Sequence, residues 1–111
     1  MFIEKYMKGG NSLKVALCCV AGMSTSIYMR KMKNYAKEKD IDLEIAVYGV
    51  GDIADVWRKY DVILLGPQIS NLKKKLGETI DKPILVISPA NYGLYQVEEV
   101  FKEIKEVLGE G

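Results

Sequence analysis

Val15-Ala16-Leu17-Cys18-Cys19-Val20-Ala21-Gly22-Met23-Ser24-Thr25-Ser26 runs from apolar residues through two thiols into small and hydroxyl residues. Its apolar part belongs to a run over residues 13–18 that reads as a β-strand. A helical pattern follows at once over residues 24–39. Tyr28, Met32, Tyr35 and Ala36 fall at i, i+4, i+7 and i+8 and form one buried stripe. A strand, a thiol, a glycine-bearing loop and a helix start therefore succeed one another without interruption. That is the opening of an α/β unit, with a nucleophile at its turn.

The alternation continues outward from this stretch. Ile41, Leu43, Ile45 and Val47 alternate through a second strand over residues 41–48. Asp52 is placed to cap a short helix running through Trp57. Residues 61–65 form a third strand, closed by Gly66-Pro67, and a helix is predicted over 68–76 with Lys73-Lys74-Lys75 as its solvated end. Pro83 opens a fourth strand over 84–87, followed by a loop over 88–93. Val97, Val100, Phe101, Ile104, Val107 and Leu108 then keep the 3.6-residue period of a last helix. This order predicts a single α/β domain over residues 13–111, a four-stranded parallel sheet flanked by helices on both faces. Residues 1–12, broken at Gly9-Gly10-Asn11-Ser12, read as a flexible leader. Ligands of such sheets bind beyond the carboxyl ends of the strands. The loops at 19–26, 66–68 and 88–93 are expected to meet there.

Composition removes several classes of function. Lys and Arg total 16 against 15 Asp and Glu, a net charge of +1, so no basic excess points to nucleic acid. The apolar runs are too short to cross a bilayer, and residues 1–10 lack the apolar core of a signal peptide. Cys18 and Cys19 are adjacent, and successive strand residues point to opposite faces, so a bond between them is strained. Reduced thiols suit a cytoplasmic protein. Two cysteines and 0 histidines exclude a Cys/His zinc site within one chain, and nothing in the sequence calls for a metal or a cofactor.

Cys19 lies where the strand stops, ahead of a helix whose free N–H groups and dipole favour an anion. Such surroundings lower a thiol pKa and can hold phosphoryl oxygens. Gly22 lets the backbone turn closely, and Ser24, Thr25 and Ser26 add hydroxyl donors. Cys18, inside the strand, reads as a packing residue. A cysteine phosphatase would need an arginine six residues after the nucleophile to clamp the transferring group. That position is Thr25, and the two arginines, Arg30 and Arg58, are outside the loop. Neither a G-x-x-x-x-G-K-[ST] nucleotide loop nor a C-x-x-C redox pair is present. The residues leave three readings: a phosphocarrier, a low-molecular-weight-type cysteine phosphatase, and a binding module with two buried thiols.

Cys19-Val20-Ala21-Gly22-Met23-Ser24-Thr25-Ser26 resembles the C-x-A-G-M-S-T-S loop of enzyme IIB of the bacterial phosphotransferase system, lactose/cellobiose type. Asp61-Val62-Ile63-Leu64-Leu65-Gly66-Pro67-Gln68-Ile69 resembles that family's D-V-V-L-L-G-P-Q-I, and Tyr92-Gly93 is a third, weaker match. The loop is closer to the cellobiose/chitobiose branch than to the lactose branch. The resemblance implies a three-layer, flavodoxin-like fold with a phosphatase-like P-loop. It implies that Cys19 takes a phosphoryl group from a phosphohistidine on a separate enzyme IIA and passes it to a sugar held by the membrane enzyme IIC. The activity is then that of a protein-N-phosphohistidine–sugar phosphotransferase, on a monomer without cofactor. Val20, Ala21, Gly22, Met23, Ser24, Thr25 and Ser26 become the phosphate-binding loop, and Gly66, Pro67, Gln68 and Tyr92 its rim. Residues 88–96 depart from the Asp- or Met-rich segment common around the Tyr-Gly pair, a difference that bears on partner choice. The missing histidine fits a donor carried by another chain.

Overall fold

Every position of strand β1 (Leu13–Cys18) except Lys14 is buried, and the strand divides its side chains between two cores. Leu13, Val15 and Leu17 face one core, while Ala16 and Cys18 face the other. This is the period-two alternation of a strand covered on both faces. The structure, a computed structural model, describes residues 12–18 and 23–108. After β1 come helix α1 (Met23–Glu38), strand β2 (Leu43–Tyr48), helix α2 (Val50–Val56) with a 3-10 turn at Trp57–Lys59, and strand β3 (Val62–Leu65). A 3-10 segment (Pro67–Leu72), helix α3 (Lys73–Gly77), strand β4 (Ile84–Val86), helix α4 (Pro89–Gly93) and helix α5 (Val97–Leu108) complete the order.

All strand pairs are parallel and the sheet order is β2-β1-β3-β4, the four-stranded parallel sheet that the alternation of runs predicts. Tyr28, Met32 and Ala36 of α1 and Val97, Val100, Phe101 and Ile104 of α5 close the first core against the odd residues of β1 and against Val62 and Leu64. Ile53, Trp57, Ile69 and Ile80 close the second core against Ala16, Cys18, Ile63 and Leu65. Each fully buried Leu or Ile contributes roughly 1.5–3 kcal/mol of transfer free energy. β1 is the second strand of the row, and its neighbours follow it from opposite sides. The strand order reverses direction there, which puts the topological switch point at the carboxyl ends of β1 and β3.

Local chemistry explains where elements begin and end. Helix α1 stops in a Schellman motif: Ile41 N–H donates to Ala36 O at 2.8 Å and Asp40 N–H to Lys37 O at 3.3 Å, with Asp40 at φ 58°. Ile41 is consequently a buried bridge residue ahead of β2 rather than its first member, so the second strand is shorter than predicted. Asp52 does not cap α2; Gly49 holds the N-cap position in extended geometry and Asp52 lies in the first turn. The predicted helix over 68–76 is broken. Pro67 starts a 3-10 segment, Ile69 leaves helical geometry (φ −121°, ψ 26°) to bury its side chain, and regular α-helix covers only Lys73–Gly77. The predicted loop at 88–93 is helix α4, capped by Ser88 Oγ, which accepts from Asn91 N–H at 3.1 Å. Asp61 precedes β3: its carboxylate accepts from Lys14 N–H at 2.9 Å and its own N–H donates to Lys14 O at 2.7 Å.

Candidate functional site

The carboxyl ends of three strands and the start of one helix meet at this edge of the sheet. β1 ends at Cys18 and α1 begins at Met23, so residues 19–22 connect a strand at the switch point to the start of a 16-residue helix. The first turn of such a helix presents N–H groups without intrahelical partners and carries the positive end of the helix dipole. Beside it, Gly66 N–H donates to Cys18 O at 3.0 Å, so the Gly66-Pro67 turn directly follows the β1–β3 ladder. Gly66 is buried and extended (φ −64°, ψ 155°), Pro67 takes the first helical position, where its lost N–H costs nothing, and Gln68 is exposed. Ser88, capping α4, stands just past β4 at the same edge of the sheet.

The described residues thus bring together the carboxyl end of β1, the start of α1, Gly66-Pro67-Gln68 and Ser88. Cys19, Val20, Ala21 and Gly22 lie outside the described residues, as do the side chains of Met23, Ser24 and Thr25; Ser26 is exposed in the first turns of α1. Cys18 is fully buried in the second core, the packing role expected for the strand thiol. Tyr92 is buried, and its ring stacks on that of Tyr28 at 5.0 Å and 24°. That stack ties the segment after β4 to the second turn of α1, a link across 64 residues that no local sequence pattern announces. Tyr95 lies 6.3 Å from Tyr28 and extends the aromatic cluster. Ser88 was legible only as a small polar residue before Pro89; Ser-Pro at a helix start is the signal that identifies it as a cap.

Neither arginine lies in the loop between β1 and α1. Arg58 stacks on Trp57 at 4.6 Å, in the segment leading to the amino end of β3, and Arg30 is exposed about two turns into α1. Among the described residues no group of His, Cys, Asp or Glu is arranged to hold a metal ion, and no helix is long and apolar enough to cross a membrane.

A family model described as the PTS system lactose/cellobiose-specific IIB subunit matches residues 14–103. The chain belongs to this IIB family. The oligo-beta-mannoside-specific EIIB component of Bacillus subtilis is 34% identical over 98 residues, covering 86% of this chain and 95% of the relative. The solution structure of the cellobiose-specific phosphotransferase IIB component of Borrelia burgdorferi is 36% identical, with a TM-score of 0.68 over 85% of this chain and 89% of that one. The lactose-specific IIB domain of Streptococcus pneumoniae superposes with a TM-score of 0.76 over 88% and 99% of the two chains at 16% identity, a likeness of fold. A lactose-specific EIICB component of Lacticaseibacillus casei matches 71% of this chain at 27% identity, over 14% of its own length. The chain is therefore a IIB component of a sugar phosphotransferase system, a transferase domain of the lactose/cellobiose type.

Proposed function

We propose that Cys19 is the phosphoryl-carrying residue of this IIB component. In the first transfer the Cys19 thiolate attacks the phosphorus of a phosphohistidine on enzyme IIA; the S–P bond forms as the N–P bond breaks. In the second, a hydroxyl of a sugar bound by enzyme IIC attacks the same phosphorus, the S–P bond breaks, and the hydroxyl proton is released. Backbone N–H groups of residues 20–25 serve as donors to the phosphoryl oxygens, with the hydroxyls of Ser24, Thr25 and Ser26 beside them. Gly66, Pro67 and Gln68 form the rim, and Tyr92 supports it through its stack on Tyr28.

The observation that carries this reading is that residues 19–22 join the carboxyl end of β1, at the switch point, to the N-terminus of α1. Dipole and free N–H groups stabilise a phosphocysteine dianion there without a fixed cation. Phosphoryl transfer needs positioning and electrostatics more than covalent assistance from the protein. A carrier that exchanges with two partners requires an intermediate held neither too tightly nor too loosely, and Thr25 in the place of a clamping arginine serves that balance. The same substitution argues against a cysteine phosphatase. The sugar is a cellobiose- or chitobiose-like oligosaccharide, in keeping with the loop sequence and with relatives named for oligo-beta-mannosides and cellobiose. The chain acts as a cytoplasmic monomer whose domain spans 13–111, with residues 1–12 as a leader.

Chasing the label tests this. The protein is phosphorylated from labelled phosphoenolpyruvate through the general phosphotransferase proteins and a IIA. It is then isolated and added to membranes containing IIC, with cellobiose. Label moving to the sugar supports the carrier. Label released as inorganic phosphate before membranes are added, or steady aryl-phosphate hydrolysis by the protein alone, contradicts it.

A further inference from the structure

We infer that the solvent face of α1 is a docking surface for anionic lipid, and that it seats the protein on the membrane beside its sugar-bearing partner. The inference rests on the carrier reading above for that partner, and on the charge distribution of α1 for the surface itself. The whole chain has a net charge of +1, yet α1 carries Arg30, Lys31, Lys33 and Lys37 against the single carboxylate of Glu38. Ser26, Arg30, Lys33 and Lys37 recur at i, i+4, i+7 and i+11 and are all exposed, opposite the buried Tyr28, Met32 and Ala36. At 1.5 Å per residue the row is about 16 Å long, and its Ser26 end is the end nearest the switch point.

These cations are not consumed within the fold. Among the described residues no carboxylate lies within ion-pair distance of Arg30, Lys33 or Lys37. Lys31, off the row, lies 5.4 Å above the Tyr95 ring instead. Asp40 and Asp42 share a cleft with Lys33 and Lys37 at the far end of α1, and Arg30, nearer the site, lies outside that cleft.

The chemistry of the row selects a bilayer over a protein partner. The cores of protein interfaces are apolar and aromatic, with charge kept to the rim. Ser26, Arg30, Lys33, Asn34 and Lys37 offer no apolar side chain, Ile27 and Met29 beside them are only partly exposed, and the exposed aliphatics Val47, Leu94 and Val107 lie on other elements. A straight row of cations that form no ion pair with a described carboxylate matches a plane of anionic headgroups, which is recognised by charge without shape. Each Lys or Arg near such a surface strengthens binding about fivefold, so three together give on the order of 100-fold.

The full chain is sedimented with vesicles of phosphatidylcholine alone and of phosphatidylcholine mixed with phosphatidylglycerol. Binding is expected only with phosphatidylglycerol, is expected to fall as salt is raised, and is expected to weaken on the order of 100-fold in Arg30→Gln/Lys33→Gln/Lys37→Gln. The variant Lys73→Gln/Lys74→Gln/Lys75→Gln loses the same formal charge from exposed positions on α3 and is expected to bind like the wild type. No phosphatidylglycerol-dependent sedimentation, or equal loss in both variants, overturns the inference. Phosphorylation from the soluble donor is followed in parallel and is expected to be unchanged in the α1 variant. Slower phosphorylation with vesicle binding intact assigns the row to a protein partner and overturns the lipid assignment. Vesicle binding requires neither Cys19 nor a donor, so failure of the carrier reading leaves the sedimentation result standing.

Discussion

Replacing Tyr28 by phenylalanine removes one oxygen from the first core and leaves the ring in place. Tyr28 is fully buried, and its hydroxyl has no hydrogen-bond partner among the described residues. A buried, unsatisfied hydroxyl costs about 1–3 kcal/mol of lost hydration. The small void left by its removal takes back part of that gain, on the order of 0.5–1 kcal/mol. Because the stack on Tyr92 and the tilted contact with Tyr95 survive, Tyr28→Phe is expected to stabilise the protein by about 1 kcal/mol. That corresponds to roughly 4 °C in Tm for a chain of this size. Tyr28→Ala, which also deletes the ring, is expected to destabilise by about 3–5 kcal/mol. Urea unfolding reads both, as a displaced midpoint with an unchanged slope for the phenylalanine variant. The pH dependence provides a second reading. Burial first, then the Glu103 carboxylate and Tyr92, hold the Tyr28 hydroxyl protonated well above its usual 10.0. As pH rises past about 10 the unfolded chain loses that proton before the native chain does, so native stability declines. Tyr28→Phe lacks this loss, and its advantage is expected to widen in alkali. Tyr60, pushed up to about 12 by burial and then by its bond to Tyr48, adds a decline of the same sign in both proteins. A phenylalanine variant less stable than wild type by 1 kcal/mol or more would refute the reasoning, because it would mean that the hydroxyl is satisfied.

Three further substitutions test the local devices of the fold. Asp61→Ala removes the acceptor for Lys14 N–H at the amino end of β1 and is expected to lower stability by about 1 kcal/mol in thermal unfolding; an unchanged Tm would show that water replaces the carboxylate. Ser88→Ala deletes the cap of α4, with an expected loss of about 1 kcal/mol and faster amide exchange at Asn91 as the local signature. Asp40→Gly relieves about 1–2 kcal/mol of left-handed strain at φ 58° and gives back up to about 1 kcal/mol of backbone entropy. A net gain of about 0.5 kcal/mol in urea unfolding is expected, and a net loss would mean that the Asp40 side chain itself stabilises the end of α1.

The parallel sheet was legible because its central strands are buried on both faces. β3 and, from Val15 onward, β1 are continuous apolar runs that no half-solvated strand would show. α1 and α5 were legible because Tyr28, Met32 and Ala36, and Val100, Phe101 and Ile104, hold a helical period long enough to identify. Short elements were less so. Pro89-Ala90-Asn91-Tyr92-Gly93 contains residues common in turns, and the cap bond from Asn91 N–H to Ser88 Oγ, with Tyr92 N–H donating to Ser88 O and Leu94 N–H to Ala90 O, makes it a helix. Ile69 interrupts the helix after Pro67 because its side chain is drawn into the second core, a tertiary demand that sequence spacing does not carry. The same holds at the site. Cys18 was readable as a packing residue from its place in the strand, and Gly66-Pro67 from the end of β3. The pairing of Tyr28 with Tyr92 depends on how two helices meet over the sheet, and neither stretch of sequence contains it.

The intact mass of the protein after incubation with phosphoenolpyruvate, the two general phosphotransferase proteins and a IIA separates Cys19 from Cys18 as the phosphorylated residue. One phosphoryl adduct is expected on the wild type and on Cys18→Ser, and none on Cys19→Ser. An adduct that persists in Cys19→Ser, or that is lost in a folded Cys18→Ser, contradicts that assignment.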